Sequence, residues 1–124
     1  MSKRILVVDD DPDVRQVLVD RLRSYGYAVV AVNDGVEALT FLRRDAFDGM
    51  LLDIEMPKIS GLEVLYHIRA TSHPTMPVVM VTALTTRERV IQSVVGSTAQ
   101  AYLPKPFDST HLKTTVDRWF GPPS

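Results

Sequence analysis

Acidic residues, one hydroxyl and one lysine stand at points of the sequence where apolar runs end. Asp9 and Asp10 follow the run "ILVV", and Asp53 follows "MLL". Thr82 and Lys105 stand just after two later runs, "VVMV" and "AYLP". Carboxylates gathered in one pocket repel each other unless a cation lies between them. If these side chains meet, they form a site suited to a hard divalent cation and to phosphoryl transfer.

Transfer of a phosphoryl group to a carboxylate is the chemistry that this set of residue types favours. Oxygen ligands select Mg²⁺ as the usual intracellular cation, with Mn²⁺ as a second candidate. A lysine supplies a positive charge for the phosphoryl oxygens, and a threonine hydroxyl donates a hydrogen bond to them. A carboxylate can itself be the nucleophile and form an aspartyl phosphate.

The elements that would bring these residues together follow from the apolar pattern, which predicts five strands alternating with five helices. The predicted strands lie in residues 4–8, 27–32, 48–57, 76–83 and 101–107. The third is expected to end on Asp53, and the fifth is stopped by Pro104 and Pro106. The predicted helices lie in residues 12–25, 33–44 (after a turn), 61–70, 87–95 and 108–120. This alternation predicts a doubly wound α/β fold with a parallel sheet and helices on both faces. Ligand sites in such folds lie at the carboxyl ends of the strands, which is where the candidate residues stand.

Composition limits the other classes of function. The 124 residues fit one domain, and a formal net charge of −1 gives no reason to expect binding to nucleic acid. The absence of cysteine excludes disulfides and thiolate metal sites. No apolar stretch approaches the roughly 20 residues of a membrane span, and the N-terminal run is too short for a signal peptide. We therefore expect a cytoplasmic domain in residues 1–120, with residues 121–124 as a tail or the start of a linker.

The third acid of the run that begins at Asp9 has a separate interpretation. Asp11 precedes Pro12, and an aspartate followed by proline at the first helical position is typical of a helix start. We therefore expect Asp9 and Asp10 to face a cation while Asp11 caps the next helix.

Four motifs together resemble the receiver domain of two-component response regulators. They are "VVDDDP", "LLDIEMPKISG", "VTA" and "YLPKPF", and they extend over nearly the whole chain in the order and spacing of that family. The resemblance implies a flavodoxin-like (βα)5 sandwich, as in chemotaxis regulators, with a five-stranded parallel sheet in the order 2-1-3-4-5. It also implies a phosphorelay switch that catalyses only its own phosphorylation and dephosphorylation, and therefore not an enzyme that acts on a separate substrate.

The same resemblance implies roles for the acidic residues. Asp53 matches the aspartate that accepts a phosphoryl group from the phosphohistidine of a partner kinase. Asp9 and Asp10 match the acidic pair that holds Mg²⁺. Asp53 itself and the backbone carbonyl of Glu55 match the remaining protein ligands of the metal.

Roles for three further residues are implied in the same way. Thr82 matches the switch hydroxyl that turns toward the phosphoryl group, and Tyr102 matches the aromatic residue whose ring moves inward with it. Lys105 matches the lysine that pairs with the phosphoryl oxygens. The resemblance further implies a cis peptide bond between Lys105 and Pro106.

The implied partners are a histidine kinase or a phosphotransfer protein that donates the phosphoryl group, and an output protein or domain that responds. The output is expected to contact the face formed by the fourth helix, the fifth strand and the fifth helix (α4-β5-α5 in the order of the predicted elements). The chain is expected to be a monomer or a weak, phosphorylation-dependent dimer, without direct contact to nucleic acid or membrane. Thr98 and Ala99 stand where the family often has Gly-Ala, which leaves the end of the fourth helix open.

Two other classes of protein remain as alternatives. A small phosphatase or phosphotransferase of the haloacid-dehalogenase type uses the same aspartyl-phosphate chemistry, and "DIE" from Asp53 to Glu55 resembles its paired acids. That family needs a following threonine and a cap insertion, whereas Met56 and Pro57 follow here. A flavodoxin-type nucleotide or flavin module needs an anion-binding loop after the first strand, where three aspartates would repel a phosphate.

Overall fold

A computed structural model describes residues 2–83 and 99–124, and within them five strands form one parallel sheet. The strands are β1 (Arg4–Val8), β2 (Ala28–Val32), β3 (Gly49–Asp53), β4 (Val78–Thr82) and β5 (Ala101–Pro104). Each neighbouring pair is parallel, and the order across the sheet is β2-β1-β3-β4-β5. The predicted order 2-1-3-4-5 is therefore confirmed.

The described part of the chain contains helices on both faces of this sheet. They are α1 (Pro12–Ser24), α2 (Gly35–Arg44), α3 (Gly61–Ala70) and the C-terminal helix (Ser109–Phe120). The predicted fourth helix, residues 87–95, lies outside the described residues, and so does Thr98. Among the described helices, none has both the length and the apolar character needed to cross a membrane.

The carboxyl ends of β3 and β5 lie where the sequence pattern placed them. The Gly61 amide donates to the Ile54 carbonyl at 2.9 Å, so the chain turns directly after Asp53. β5 ends at Pro104. Lys105 still donates to the Thr82 carbonyl at 2.7 Å, but the proline that follows has no amide to continue the ladder.

Two apolar layers fill the space between the sheet and the helices. One layer lies against α2 and α3 and includes the buried residues Leu6, Met50, Leu52, Leu65 and Ile68. The other layer lies against α1 and the C-terminal helix and includes Ile5, Leu18, Leu51, Val79 and Leu112. Every residue of β3 and β4 is buried. Burial on both faces explains why these strands read as continuous apolar runs without alternation.

The four C-terminal residues lie at the amino ends of the strands. The Lys3 amide donates to the Pro123 carbonyl at 2.6 Å, and Lys3 Nζ donates to the Phe120 carbonyl at 2.7 Å. The Tyr27 hydroxyl donates to the Gly121 carbonyl. Residues 121–124 are therefore bonded to the start of β1 and to the turn before β2.

Candidate functional site

The carboxyl ends of four neighbouring strands bring the predicted site residues to one edge of the sheet. Asp9 directly follows β1, Asp53 and Thr82 are the last residues of β3 and β4, and Lys105 directly follows β5. All these strands run in the same direction, and β1, β3, β4 and β5 are adjacent in that order. The topology therefore makes these four residues neighbours although the chain separates them widely.

Asp9, Asp10 and Asp53 form a compact acidic cluster, in which one oxygen of each carboxylate lies within 4.8 Å of the others. Asp9 is completely buried and Asp53 is 5% exposed, whereas Asp10 is exposed. The cluster therefore has two buried carboxylates and one that is open to solvent. Hard oxygen donors from two strands fit Mg²⁺ better than a softer metal.

The Lys105 ammonium partly neutralises this cluster. Its Nζ lies 2.9 Å from Asp9 Oδ2 and 3.5 Å from Asp53 Oδ2. Burial alone would lower the pKa of Lys105, but the contacts with Asp9 and Asp53 outweigh it and the pKa is raised. One ammonium group thus faces two buried carboxylates, which leaves an excess of negative charge that a cation can neutralise. The Lys105–Pro106 peptide bond is cis.

The Asp53 carboxyl group is difficult to ionise without a bound cation. Burial raises the pKa of Asp53 to about 7. The positive charge of Lys105 lowers this pKa, and the negative charge of Asp9 raises it further. The Glu55 amide donates to Asp53 Oδ1 at 3.3 Å, which favours the charged form. A pKa perturbed by burial and by specific charged neighbours is typical of a functional carboxyl group.

Thr82 ends β4 at the edge of the sheet that carries this cluster, and Tyr102 lies on the neighbouring strand, β5. Thr82 is 1% exposed, and it pairs in register with Pro104. Tyr102 is two residues earlier on β5, packs against the core layer under α2 and α3, and has a raised pKa because of burial. Its hydroxyl is buried and has no hydrogen-bond partner within the described part of the chain. Tyr102 is thus close to Thr82 and is not held by a hydrogen bond to a described residue.

The predicted division of the three consecutive aspartates is confirmed for Asp11. Asp11 Oδ1 accepts hydrogen bonds from the amides of Asp13 at 2.9 Å and of Val14 at 3.4 Å, so it caps α1. The Asp11 amide in turn donates to Asp9 Oδ1 at 2.9 Å. The cap therefore also orients the buried carboxylate of the cluster.

Sequence reasoning missed two supports of the site. A Cβ atom at Gly61 would lie 2.0 Å from the Asp53 carbonyl oxygen, so only glycine fits at this close approach. The Arg15 guanidinium donates to the Asp9 carbonyl at 2.8 Å and fixes the end of β1 from α1. The glycine after "PKIS" was a visible signal for the first contact, whereas nothing in the pattern marked the second.

An open apolar groove of about 510 Å³ begins beside Lys105 and runs along α1. Ala83 and Lys105 line the end near the acidic cluster, and Val14, Val17 and Phe107 line the rest. Val17 is 46% exposed, which is unusual for a large apolar side chain. The acidic cluster is thus bordered by an apolar surface that is open to solvent.

Curated proteins share much of this sequence. The family model described as "Response regulator receiver domain" matches residues 5–117. Response regulator MprA of Mycobacterium tuberculosis is 46% identical over 109 residues, which cover 86% of this chain and 46% of MprA. The chain therefore spans about half the length of the curated relatives it matches.

Two solved structures share both the fold and part of the sequence. The receiver domain of a sensor histidine kinase from Pseudomonas aeruginosa, which has a magnesium ion coordinated in its active-site cleft, is 30% identical with a TM-score of 0.87. That alignment covers 98% of this chain and 99% of the other. Response regulator TrrA from Thermotoga maritima, in complex with Mg²⁺ and BeF, is 37% identical with a TM-score of 0.83. It covers 94% of this chain and 97% of TrrA.

Proposed function

Because this chain belongs to the response-regulator receiver domain family, we propose that it is a switch in which Asp53 accepts a phosphoryl group. A receiver of this family is a phosphoaccepting signalling domain and not an enzyme, so the haloacid-dehalogenase and flavodoxin alternatives are set aside. The observation that carries the proposal is the contact of one lysine with two buried carboxylates. Lys105 Nζ lies 2.9 Å from Asp9 and 3.5 Å from Asp53.

The proposed metal ligands are Asp9, Asp10, Asp53 and the backbone carbonyl of Glu55, and the proposed metal is Mg²⁺ with Mn²⁺ as the second candidate. The acidic cluster supports this assignment, because its two buried carboxylates share a single ammonium group. A bound divalent cation would relieve the repulsion among the carboxylates and stabilise negative charge on a transferred phosphoryl group.

The proposed donor is a phosphohistidine of a histidine kinase or of a phosphotransfer protein. An oxygen of Asp53 attacks the phosphorus, and the new O–P bond forms as the P–N bond to the donor imidazole breaks. The imidazole leaves with the electron pair of that bond and takes up a proton. Lys105 remains beside Asp53 and pairs with the phosphoryl oxygens. Hydrolysis of the aspartyl phosphate by water later restores the carboxylate.

The proposed docking surface for the protein that carries the phosphohistidine is the apolar groove beside Lys105. A donor that reaches Asp53 must cover the surface next to Lys105, and Val17 and Phe107 supply apolar area there. Burial of exposed apolar side chains is a main source of affinity between proteins. A Val17→Arg variant should therefore slow transfer from the kinase while it leaves phosphorylation by acetyl phosphate unchanged.

The proposed response to phosphorylation involves Thr82 and Tyr102. A phosphoryl group adds charge and strong acceptors, to which the Thr82 hydroxyl donates a hydrogen bond. Tyr102 then moves toward the space that Thr82 leaves. The absence of a described hydrogen-bond partner for the Tyr102 hydroxyl supports this, because the ring can move without breaking a described bond.

The proposed output surface is formed by residues 87–95, β5 and the C-terminal helix. An output protein or domain would contact this surface, and the chain would remain a monomer or form a weak dimer on phosphorylation. The first of these segments lies outside the described residues. The cytoplasmic location and the boundary near residue 120 also stay predictions.

The test of the proposed function is the formation of a covalent adduct at Asp53. With Mg²⁺ and acetyl phosphate, intact mass should increase by one phosphoryl group, and the adduct should be labile to hydroxylamine. Beryllofluoride should bind at Asp53 in the presence of Mg²⁺, which fluorine NMR of the bound species measures. The Asp53→Asn protein should show neither response. If that variant takes up phosphoryl or beryllofluoride as the wild type does, Asp53 is not the acceptor.

A further inference from the structure

An ion pair outside the acidic cluster joins the loop that follows Asp53 to the start of α2. Residues 54–60 connect β3 to α3. Within this loop, Lys58 Nζ lies 3.1 Å from Asp34 Oδ2. The other carboxylate oxygen of Asp34 accepts the Glu37 amide at 2.8 Å and caps α2. One side chain therefore joins the first turn of α2 to the loop.

Asp34 has the properties of a firm anchor. Asp34 is only 9% exposed. The hydrogen bond from the Glu37 amide lowers the pKa of Asp34, and the Lys58 ammonium lowers it further, although burial opposes both. The carboxylate is therefore charged at neutral pH. Each oxygen of Asp34 is therefore bonded, which holds the carboxylate in place at the start of α2. The Lys58 side chain is 64% exposed, so solvent weakens the attraction between the two groups.

The backbone at Lys58 is strained. Its φ angle is 71°, and Lys58 is the one residue other than glycine with positive φ in the described part of the chain. A residue with a Cβ atom adopts this conformation at a cost in free energy, and such strain persists where the surroundings hold it in place. Glycine would remove the strain but also the ammonium group. The strained lysine therefore points to a requirement for the bond to Asp34.

An apolar contact lies beside the ion pair. A Cβ atom at Gly35 would lie 2.6 Å from Ile59 Cγ1 and 2.8 Å from Val64 Cγ2. The first turn of α2 is therefore in direct contact with the residue that follows Lys58. The ion pair and this contact hold the loop from the same side.

The opposite side of the loop touches the acceptor. The Glu55 amide donates to Asp53 Oδ1 at 3.3 Å, and Gly61 packs directly on the Asp53 carbonyl. The Gly61 amide also donates to the Ile54 carbonyl at 2.9 Å. A displacement of the loop would therefore move the atoms that surround the Asp53 carboxylate.

We infer that Asp34 and Lys58 are positioning residues for the phosphoacceptor site. Their ion pair holds residues 54–60 so that the Glu55 backbone faces Asp53 before a cation or a phosphodonor arrives. The consequence for metal binding and phosphorylation rests on the proposed function, whereas the restraint on the loop is a property of the chain itself. Neither residue contacts the acceptor directly.

The experiment compares Lys58→Ala, Lys58→Arg and Asp34→Asn with the wild type. Asparagine caps helices as well as aspartate, so Asp34→Asn removes the charge and keeps the cap. We expect Lys58→Ala and Asp34→Asn each to speed amide hydrogen exchange of residues 55–60 about threefold to fivefold in the metal-free protein. Each should also weaken Mg²⁺ binding about threefold, measured by isothermal titration calorimetry. Lys58→Arg should restore both values to within twofold of the wild type.

Lys113→Ala is the matched control. Lys113 and Asp117 form an ion pair of 2.9 Å on the surface of the C-terminal helix, away from the loop. This variant should leave loop exchange and Mg²⁺ affinity unchanged. The double variant Asp34→Asn with Lys58→Ala should be no worse than either single variant, because both remove one interaction.

Two results would overturn the inference. One is loop exchange and Mg²⁺ affinity within twofold of the wild type in both Lys58→Ala and Asp34→Asn. The other is a double variant in which the fold-changes in loop exchange and in Mg²⁺ affinity equal the product of those in the two single variants. Failure of the proposed function is a separate result, since the wild type would then form no phosphoryl adduct. Hydrogen exchange in the metal-free protein tests the restraint in either case.

Discussion

The two ends of the sheet satisfy their polar groups in opposite ways. At the amino end, Lys3 and Tyr27 donate to backbone carbonyls of the last helix and the tail. At the carboxyl end, the buried carboxylates of Asp9 and Asp53 face each other and share one ammonium group, that of Lys105. Neutral acceptors match donors at the first end, whereas negative charge exceeds positive charge at the second.

The amino end of the sheet is therefore arranged for stability, whereas the carboxyl end has the charged groups that a cation would bind. Hydrogen bonds to backbone carbonyls lower the free energy of the folded state without any ligand. Buried like charges raise it, and they persist in natural proteins where function requires them. Substitutions at the amino end should therefore reduce stability alone. Substitutions of the buried charged residues at the carboxyl end should change both stability and its dependence on Mg²⁺.

The largest effect is expected when Lys105 is removed. Lys105→Met should lower the free energy of unfolding of the metal-free protein at pH 8 by about 3 kcal/mol, because Asp9 is left buried without its partner. Excess Mg²⁺ should recover part of this loss. Urea denaturation with EDTA and with Mg²⁺ measures both values. The matched change in the exposed pair, Lys113→Met, should cost less than about 0.5 kcal/mol and show no response to Mg²⁺.

The next largest effect has the opposite sign. The pKa of Asp53 is about 7 in the folded protein and 3.8 for an unperturbed aspartate, so the folded state holds its proton more strongly. Stability from this group is therefore present at low pH and is lost as pH rises from about 4 to about 7. Asp53→Asn should raise the free energy of unfolding of the metal-free protein by roughly 2 kcal/mol at pH 8.

Urea denaturation at pH 5 and pH 8 checks the sign of this effect. The gain from Asp53→Asn should be smaller at pH 5, where the wild-type carboxyl is largely protonated in the folded state. Saturating Mg²⁺ should remove the gain, because it stabilises the wild-type protein selectively. A variant that is less stable than the wild type at pH 8 would contradict the view that the carboxyl end is destabilised by its charges.

A smaller loss is expected at the amino end of the sheet. Tyr27→Phe removes the hydroxyl that donates to the Gly121 carbonyl and should cost about 1.5 kcal/mol of stability. Its Mg²⁺ affinity and its phosphorylation by acetyl phosphate should equal those of the wild type. Thermal denaturation measures the loss of stability, and a Mg²⁺ titration measures the affinity. A change in Mg²⁺ affinity would show that the two ends of the sheet are coupled.

The smallest effect separates two adjacent acids at the carboxyl end. Asp11→Ala should cost about 1 kcal/mol of stability through loss of the cap of α1, with Mg²⁺ affinity reduced at most slightly. Asp10→Ala should abolish Mg²⁺ binding and leave stability nearly unchanged, because Asp10 is exposed. Parallel urea and Mg²⁺ titrations of both variants test this division. Equal loss of Mg²⁺ affinity in the two would contradict it.

The sheet and the acidic cluster could be predicted because their signals are local. β1 and β4 read as unbroken apolar runs, and the polar residues that follow them had to meet once the strands were parallel. The cap at Asp11 was visible because Pro12 follows it and fixes the backbone for a helix start. In these places the residues that determine a strand or a helix start are the same residues that form it.

The supports of the site could not be predicted because they join distant parts of the chain. The bond between Asp34 and Lys58 links two turns, and the positive φ of Lys58 contradicts the usual preference of a lysine. The contact between Lys3 and Pro123 joins the two ends of the sequence, which no local pattern can reveal.

The bonds around Phe120 determine how the C-terminal helix can move. Its last turn is held by Lys3 and by packing of the Phe120 ring on Gly49. Near its start, Leu112 is completely buried and the Tyr25 hydroxyl donates to the Ser109 carbonyl at 3.5 Å. Because the helix is attached at both ends, a change at Lys105 can shift its first turn only if the Tyr25 bond lengthens or breaks.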